Sequence, residues 1–178
     1  MILTLTANPA VDRNVTTDRL VFEDRSYILS SRESPGGRGI NASCVIHSFG
    51  GDTAAVVPLG GKRGVLFEQL LGGCGFPVHI VRIKNGIRTN LTISDKAGLT
   101  VKLNELGPPM SKVEVSRLER MVEEKLAGAD WFLICGSLPP GVPPSFYSKL
   151  VAMARERKVK TLLDTDGDPL REGIEAGP

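Results

Sequence analysis

The chain has 178 residues, 41% of them apolar and 24% charged, a composition that supports one globular domain with a sizeable core. Its net charge is only +2, with Lys and Arg scattered among the acids, which leaves no basic face of the kind that nucleic acid or an anionic membrane surface requires. Cys44, Cys74 and Cys135 are odd in number and lack paired spacing, so neither a disulfide framework nor a zinc site is indicated and they read as reduced, buried thiols of a cytoplasmic protein.

Ile2 to Thr6 is a short strand, with neither the length nor the positive flank of a secretory signal before it. Ala7-Asn8-Pro9-Ala10 leaves it as a loop that presents Asp12. Val15 to Leu20 and Ser26 to Arg32 are extended and half polar, joined through Phe22-Glu23-Asp24, and predict exposed strands. Ser34-Pro35-Gly36-Gly37-Arg38-Gly39-Ile40-Asn41 then predicts a loop feeding a helix from about Gly39 to Phe49. Its glycines remove Cβ atoms where backbone must come close to something. The helix start leaves unpaired N–H groups, and with the charge of Arg38 these form a seat for an anion or a hydroxyl-rich small molecule.

Gly50-Gly51-Asp52 turns the chain into a buried strand, Thr53 to Leu59, followed by a helix from about Gly64 to Leu71 and a strand from Val78 to Ile83. Arg88 to Ser94 and Leu99 to Asn104 alternate apolar and polar residues across Asp95 to Gly98, the signature of a hairpin. Ser111-Lys112-Val113-Glu114 has capping-box spacing, ahead of the helical stripe Val115, Leu118, Met121, Val122 and Leu126. Trp131 to Cys135 is a continuous apolar run, hence a buried strand, and Gly136 to Gly141 is the loop at its carboxyl end. A helix from about Pro144 to Arg157, a strand from Val159 to Leu163 and a helix from Asp168 to about Ala176 complete the chain, with no closing strand after Gly177-Pro178.

Buried strands alternating with helices predict a parallel, doubly wound α/β sheet, with ligands beyond the carboxyl ends of its strands. The extended segments 15–32 and 88–104 do not alternate with helices and fit a small separate sheet covering that edge. Gly37-x-Gly39-x-x-Ala42 matches the loose dinucleotide fingerprint, but it follows a polar extended segment and no acid stands some 20 residues on. A dinucleotide-binding oxidoreductase domain is therefore a weaker alternative. Gly60-Gly61-Lys62 lacks the first glycine and the hydroxyl of a phosphate loop, and Asp164-Thr165-Asp166-Gly167-Asp168 lacks the distal Glu of a calcium loop. Asp12 can accept hydrogen bonds from sugar hydroxyls. Arg25 and Arg88 carry the forked guanidinium that pairs with phosphate.

Taken together, Thr6-Ala7-Asn8-Pro9-Ala10-Val11-Asp12, Pro35 to Asn41, Arg88-Thr89-Asn90 and Gly136 to Gly141 occur in an order and spacing that resemble the ribokinase-like (PfkB) carbohydrate kinases, in particular the 1-phosphofructokinase and tagatose-6-phosphate kinase branch. The resemblance covers all 178 residues but only about the first half of a family member. It implies a three-layer α/β/α sandwich with a small β-sheet lid, the lid also serving as a homodimer interface. It implies that Asp12 holds sugar hydroxyls over a floor of Gly36, Gly37 and Asn41, and that Arg25, Arg88 and Ser137 hold the substrate's phosphate. Arg38 stands where the family commonly has Lys, keeping charge but not geometry. The reaction implied is ATP-dependent phosphorylation of a hexose phosphate, such as fructose 1-phosphate to fructose 1,6-bisphosphate, with ATP and Mg²⁺ as cofactors. The catalytic aspartate of the family lies in a downstream Gly-Ala-Gly-Asp motif that these residues do not contain. The expectation is an N-terminal part that carries the sugar-phosphate acceptor site without the base or the ATP site, inactive by itself. A non-catalytic sugar-phosphate-binding or dimerising module is the alternative.

Overall fold

The computed structural model describes residues 1–178. A central five-stranded parallel sheet has the order β5-β4-β1-β8-β9, built from β1 (Ile2–Thr6), β4 (Thr53–Leu59), β5 (Val78–Arg82), β8 (Trp131–Cys135) and β9 (Lys160–Asp164). Every residue of β4 is buried, as expected for a strand covered on both faces. Helices α1 (Arg38–Ser48) and α2 (Gly61–Leu71) cover one face, where Ile40, Val57, Leu59, Phe67 and Leu71 form a core cluster. Helices α3 (Lys112–Leu126) and α4 (Ser145–Glu156) cover the other, closing a larger cluster around Leu3, Leu5, Val56, Leu118, Val122, Phe132, Ile134 and Tyr147. Each such fully buried side chain contributes roughly 1.5–3 kcal/mol from removal of apolar surface. A last helix, α5 (Gly167–Glu175), packs on α4 and β9.

The chain passes from β1 to β4 and β5 on one side, then returns to β8 and β9 on the other. The order reverses at β1, so the carboxyl ends of β1 and β8 flank a crevice at the switch point. The expected small second sheet is present, with the order β3-β2-β6-β7, from β2 (Ala10–Thr17), β3 (Ile28–Gly36), β6 (Arg88–Asp95) and β7 (Thr100–Asn104). Its central pair, β2 and β6, is parallel over eight residue pairs, and β3 and β7 flank it antiparallel.

Three local expectations are corrected. Asp12 lies inside β2 rather than in a loop, because that strand starts at Ala10 and buries Val11 and Val15 on one face. Ser34, Pro35 and Gly36 end β3 rather than opening a loop; β3 is an edge strand, where a residue without an N–H breaks no ladder. Trp131 begins a buried strand but is 40% exposed, its ring carrying the Lys160 ammonium 5.3 Å from the centroid.

The capping box at Ser111 forms as its spacing predicts, and it also anchors a neighbouring segment. Ser111 Oγ accepts from the Glu114 amide, while the buried Glu114 carboxylate accepts from the Ser111 amide at 2.7 Å and from the Lys84 amide at 2.6 Å. These bonds, the Lys84 amide first and Ser111 next, hold the Glu114 carboxyl below the usual range. An acid so lowered stabilises the fold above its unfolded value of about 4.3 and loses that contribution as pH falls through the lower folded value. Replacing Glu114 by Gln removes the charge and one acceptor oxygen. The urea midpoint at pH 7 is expected to fall by the equivalent of roughly 1–3 kcal/mol, with a flatter loss of stability below pH 5 than in the parent. Parallel acid profiles for the two proteins would contradict this role.

Candidate functional site

The crevice at the switch point is roofed by the small sheet and opens into a cleft of about 310 Å³, none of whose eleven lining residues is apolar. Three of its walls come from one rung of the small sheet. The register sets Asp12 on β2 beside Asn90 on β6, and Asn90 beside Asn104 on β7, and all three line the cleft. Asn90 Nδ2 donates to Asp12 Oδ1 at 2.8 Å, which fixes the carboxylate and leaves Asn90 Oδ1 buried with no donor. An unpartnered buried acceptor beside a carboxylate can take a hydrogen bond from a ligand's hydroxyl or amide donor.

The next rung on the same face of this strand pair sets Ala10 beside Arg88. Arg88 Nε donates to the Asn8 carbonyl at 3.3 Å and Nη1 to the Glu105 carbonyl at 3.0 Å, so the half-buried guanidinium is held in place with Nη2 left without a protein acceptor. Burial pushes the Arg88 pKa down, the Asp12 carboxylate opposes this, and the like charge of Arg38 adds to the lowering. A guanidinium nonetheless stays charged at any ordinary pH. It is a partly dehydrated cation, fixed beside a carboxylate.

The floor comes from β1, the glycine segment and β8. At Gly36 a Cβ would fall 2.2 Å from the Asp12 carboxylate, so this glycine is what lets Asp12 take its place. Gly37, the N-cap of α1, has φ +124°, and a Cβ there would lie 2.4 Å from Thr6 Cγ2. Thr6 Oγ1 in turn accepts from the Ile40 amide at 2.9 Å, tying the first turn of α1 to the end of β1. Asn41, one turn into the helix, lines the cleft. Ser137 closes it from the loop after β8, with its Oγ 3.3 Å from Asn8 Nδ2, and the buried Tyr147 hydroxyl donates to the Gly136 carbonyl at 3.0 Å beneath it. Burial pushes the neighbouring Cys135 thiol up to about 12, so it is no nucleophile at neutral pH.

Of the eight residues named from the sequence, Asp12, Gly37, Arg38, Asn41, Arg88 and Ser137 line the cleft and Gly36 abuts Asp12. Arg25 is not brought there. It sits in the exposed connection between β2 and β3, at the end of that hairpin remote from Ala10, with its Nε 3.8 Å from its own neighbour Asp24. Arg38 is at the cleft but not free: its Nη1 is 3.0 Å from Asp164 Oδ1, and its Nη2 bonds Asp166, from the end of β9 and the start of α5. The bond to Asp166, first among the causes, raises its pKa. The acids that superficially resembled a calcium loop are thus occupied with a cation from this chain. Asn8, Asn90 and Asn104 were missed as site residues. Asn90 stood within a quoted motif, whereas nothing in the sequence marks Asn104 except its place opposite Asn90 across the hairpin.

The glycine segment leaves the antiparallel strand β3, not the first parallel strand, which is not the strand–turn–helix that a dinucleotide fingerprint requires. No group of three or more His, Cys, Asp or Glu side chains comes together as a metal site, and no helix is long and apolar enough to cross a membrane.

Known proteins agree with this layout. A 6-phosphofructokinase isozyme 2 of Mycobacterium tuberculosis is 32% identical over 96% of the chain, and a 1-phosphofructokinase of Rhodobacter capsulatus is 31% identical over 99%. The chain spans 50% and 57% of the length of these two relatives. Escherichia coli phosphofructokinase-2, solved in complex with fructose 6-phosphate, superposes on 99% of the chain with a TM-score of 0.90 at 29% identity, the match covering 58% of that protein. The pattern of the pfkB family carbohydrate kinases matches residues 6–177, and to that family this chain belongs.

Proposed function

We propose that this chain forms the sugar-phosphate acceptor side of a hexose-phosphate kinase of the 1-phosphofructokinase type. The observation that carries the reading is the juxtaposition, in a wholly polar cleft, of a fixed cation at Arg88 with the Asp12 carboxylate and the unpartnered Asn90 Oδ1. Arg88, with Ser137 near it, receives the phosphate already on the sugar. Asp12 and Asn90 receive ring or chain hydroxyls, and Gly37 and Asn41 lie under the sugar. Arg38 is a poorer phosphate ligand than its charge alone suggests, because Asp164 and Asp166 already share it.

ATP and Mg²⁺ belong to the reaction of the family, and the groups needed for them are not assembled by these residues. Phosphoryl transfer needs a base for the attacking hydroxyl and a site for the metal and nucleotide. Asp12 holds Asn90 through one oxygen and is assigned to the sugar hydroxyls, Asp164 and Asp166 are paired with Arg38, and no further carboxylate lines the cleft. In a coupled assay with ATP, Mg²⁺ and each hexose phosphate, the 178-residue chain is expected to give no turnover above buffer. ATP-dependent turnover by the pure chain would refute this.

The lid supports a second element of the reading, a homodimer through the small sheet. Its edge strand β3 and the connection before it expose Phe22, Tyr27, Ile28 and Leu29, of which Phe22 is 84% exposed. Such a cluster of apolar side chains on a sheet edge marks an interaction surface. Sedimentation equilibrium is expected to report a dimer that Ile28→Lys dissociates; a monomeric parent chain would dismiss the lid as an interface.

Calorimetric titration with fructose 1-phosphate, tagatose 6-phosphate and fructose 6-phosphate tests the site and ranks the substrates. Arg88→Ala is expected to weaken the best of them roughly 10- to 100-fold, the loss of a charge-assisted pair. Gly36→Ala is expected to weaken binding as well, by driving its Cβ into Asp12, while leaving the far-ultraviolet spectrum unchanged. Binding unaffected by Arg88→Ala would remove the phosphate assignment. Tight NAD binding without sugar-phosphate binding would favour a dinucleotide domain. Sugar-phosphate binding by a chain whose reading frame stops after codon 178 would favour a non-catalytic module.

A further inference from the structure

Cys44 and Cys74 are 30 residues apart in the chain, yet their Sγ atoms lie 3.9 Å apart. Cys44 is on α1, one turn beyond Asn41, and Cys74 is in the turn that follows α2. Both are half-buried at the edge of the smaller core cluster, whereas Cys135 is buried in β8. The approach follows from α1 and α2 packing on the same sheet face, where the turn after α2 falls against α1. Gly75 lies so close to His47 of α1 that a Cβ there would stand 2.6 Å from Nε2.

We propose that Cys44 and Cys74 form a reversible disulfide that ties α1 to the turn after α2, closed by exchange with a low-molecular-weight disulfide such as oxidised glutathione. A bond of about 2.05 Å requires Cys74 to move toward Cys44 by roughly 2 Å. The turn can supply this, since Gly72 and Gly73 precede Cys74 and a Cβ at Gly73 would meet nothing within 4 Å.

In the first step the Cys74 thiolate attacks one sulfur of the small disulfide, forming a mixed disulfide and releasing one small thiol. In the second, Cys44 gives its proton to solvent and attacks Cys74 Sγ, forming the protein bridge and releasing the second small thiol. Two protein thiols are oxidised and one small disulfide is reduced to two thiols. Burial, then the neighbouring Cys74, push the Cys44 thiol up to about 11 while both thiols are free; burial persists in the mixed disulfide, so the second step is faster at higher pH. The bridge would brace the helix whose first turn carries Arg38 and Asn41, behind the cleft floor.

The test uses the whole chain, incubated with oxidised glutathione at pH 8, alkylated and mapped by peptide mass spectrometry. The expected result is a Cys44–Cys74 linked peptide, Cys135 still alkylated, a raised thermal midpoint and full reversal by dithiothreitol. Cys135→Ser should retain the bridge, while Cys44→Ser should stop at a glutathione adduct on Cys74. Full alkylation of both cysteines after equilibration, a persistent mixed disulfide without linkage, or a bridge to Cys135 would each overturn the proposal. A Cys44–Cys74 bridge that leaves the midpoint unchanged would overturn its bracing role.

Discussion

The parallel pairing of β2 with β6 is the constraint on which the cleft depends. Asp12 and Asn90 are 78 positions apart in the chain, with one whole flank of the central sheet between their strands, yet the register places Ala10 beside Arg88 and Asp12 beside Asn90. Because side chains alternate across a strand, a slip of one residue would turn Asp12 toward the core and Val11 toward the cleft. Burial of Val11 and Val15 on the opposite face makes that slip costly. Apolar packing on one side of the lid therefore fixes polar chemistry on the other.

Charge within the cleft is arranged as two separate settlements. Arg88 is oriented by main-chain carbonyls, which hold a cation without neutralising it, and so retains its capacity to pair with an anion. Arg38 is oriented by two carboxylates, which largely consume that capacity. Two guanidiniums that look equivalent in the sequence thus differ in what they can do. The difference lies in what buries them and what they touch. Arg38 instead links helix α1 to the end of β9 and the start of α5, so the last strand of the described sheet is mechanically joined to the glycine segment.

The core is divided in the same way. The α3–α4 face packs a large cluster with a capped helix and a buried tyrosine bound to the loop that carries Ser137. The α1–α2 face is smaller, and it is this face that bears the glycine segment and the two adjacent thiols. Glycines at Gly36 and Gly37 permit the approach of backbone to Asp12 and Thr6, and a Cβ at either position would displace the side chain it meets. The helix that supports the cleft floor therefore depends on its neighbours for capping, since its N-cap is a glycine and its first turn is bound by Thr6 of β1.

The sequence by itself determined the elements. Continuous apolar runs, the Ser111 capping box and the turn glycines report local preference and burial, and these depend on near neighbours in the chain. The order and type of every helix and strand were legible for that reason, as were the four motifs that border the cleft. Tertiary structure alone decided which polar groups meet. Asn104 enters the cleft only through its register with Asn90, Arg25 is excluded only by where the β2–β3 hairpin ends, and Arg38 meets Asp164 and Asp166 across 126 and 128 residues of chain. Cys44 and Cys74, unremarkable at their spacing in the sequence, become neighbours because two helices share one face of a sheet. Such contacts are set by packing and strand register, and neither is a property of any local segment.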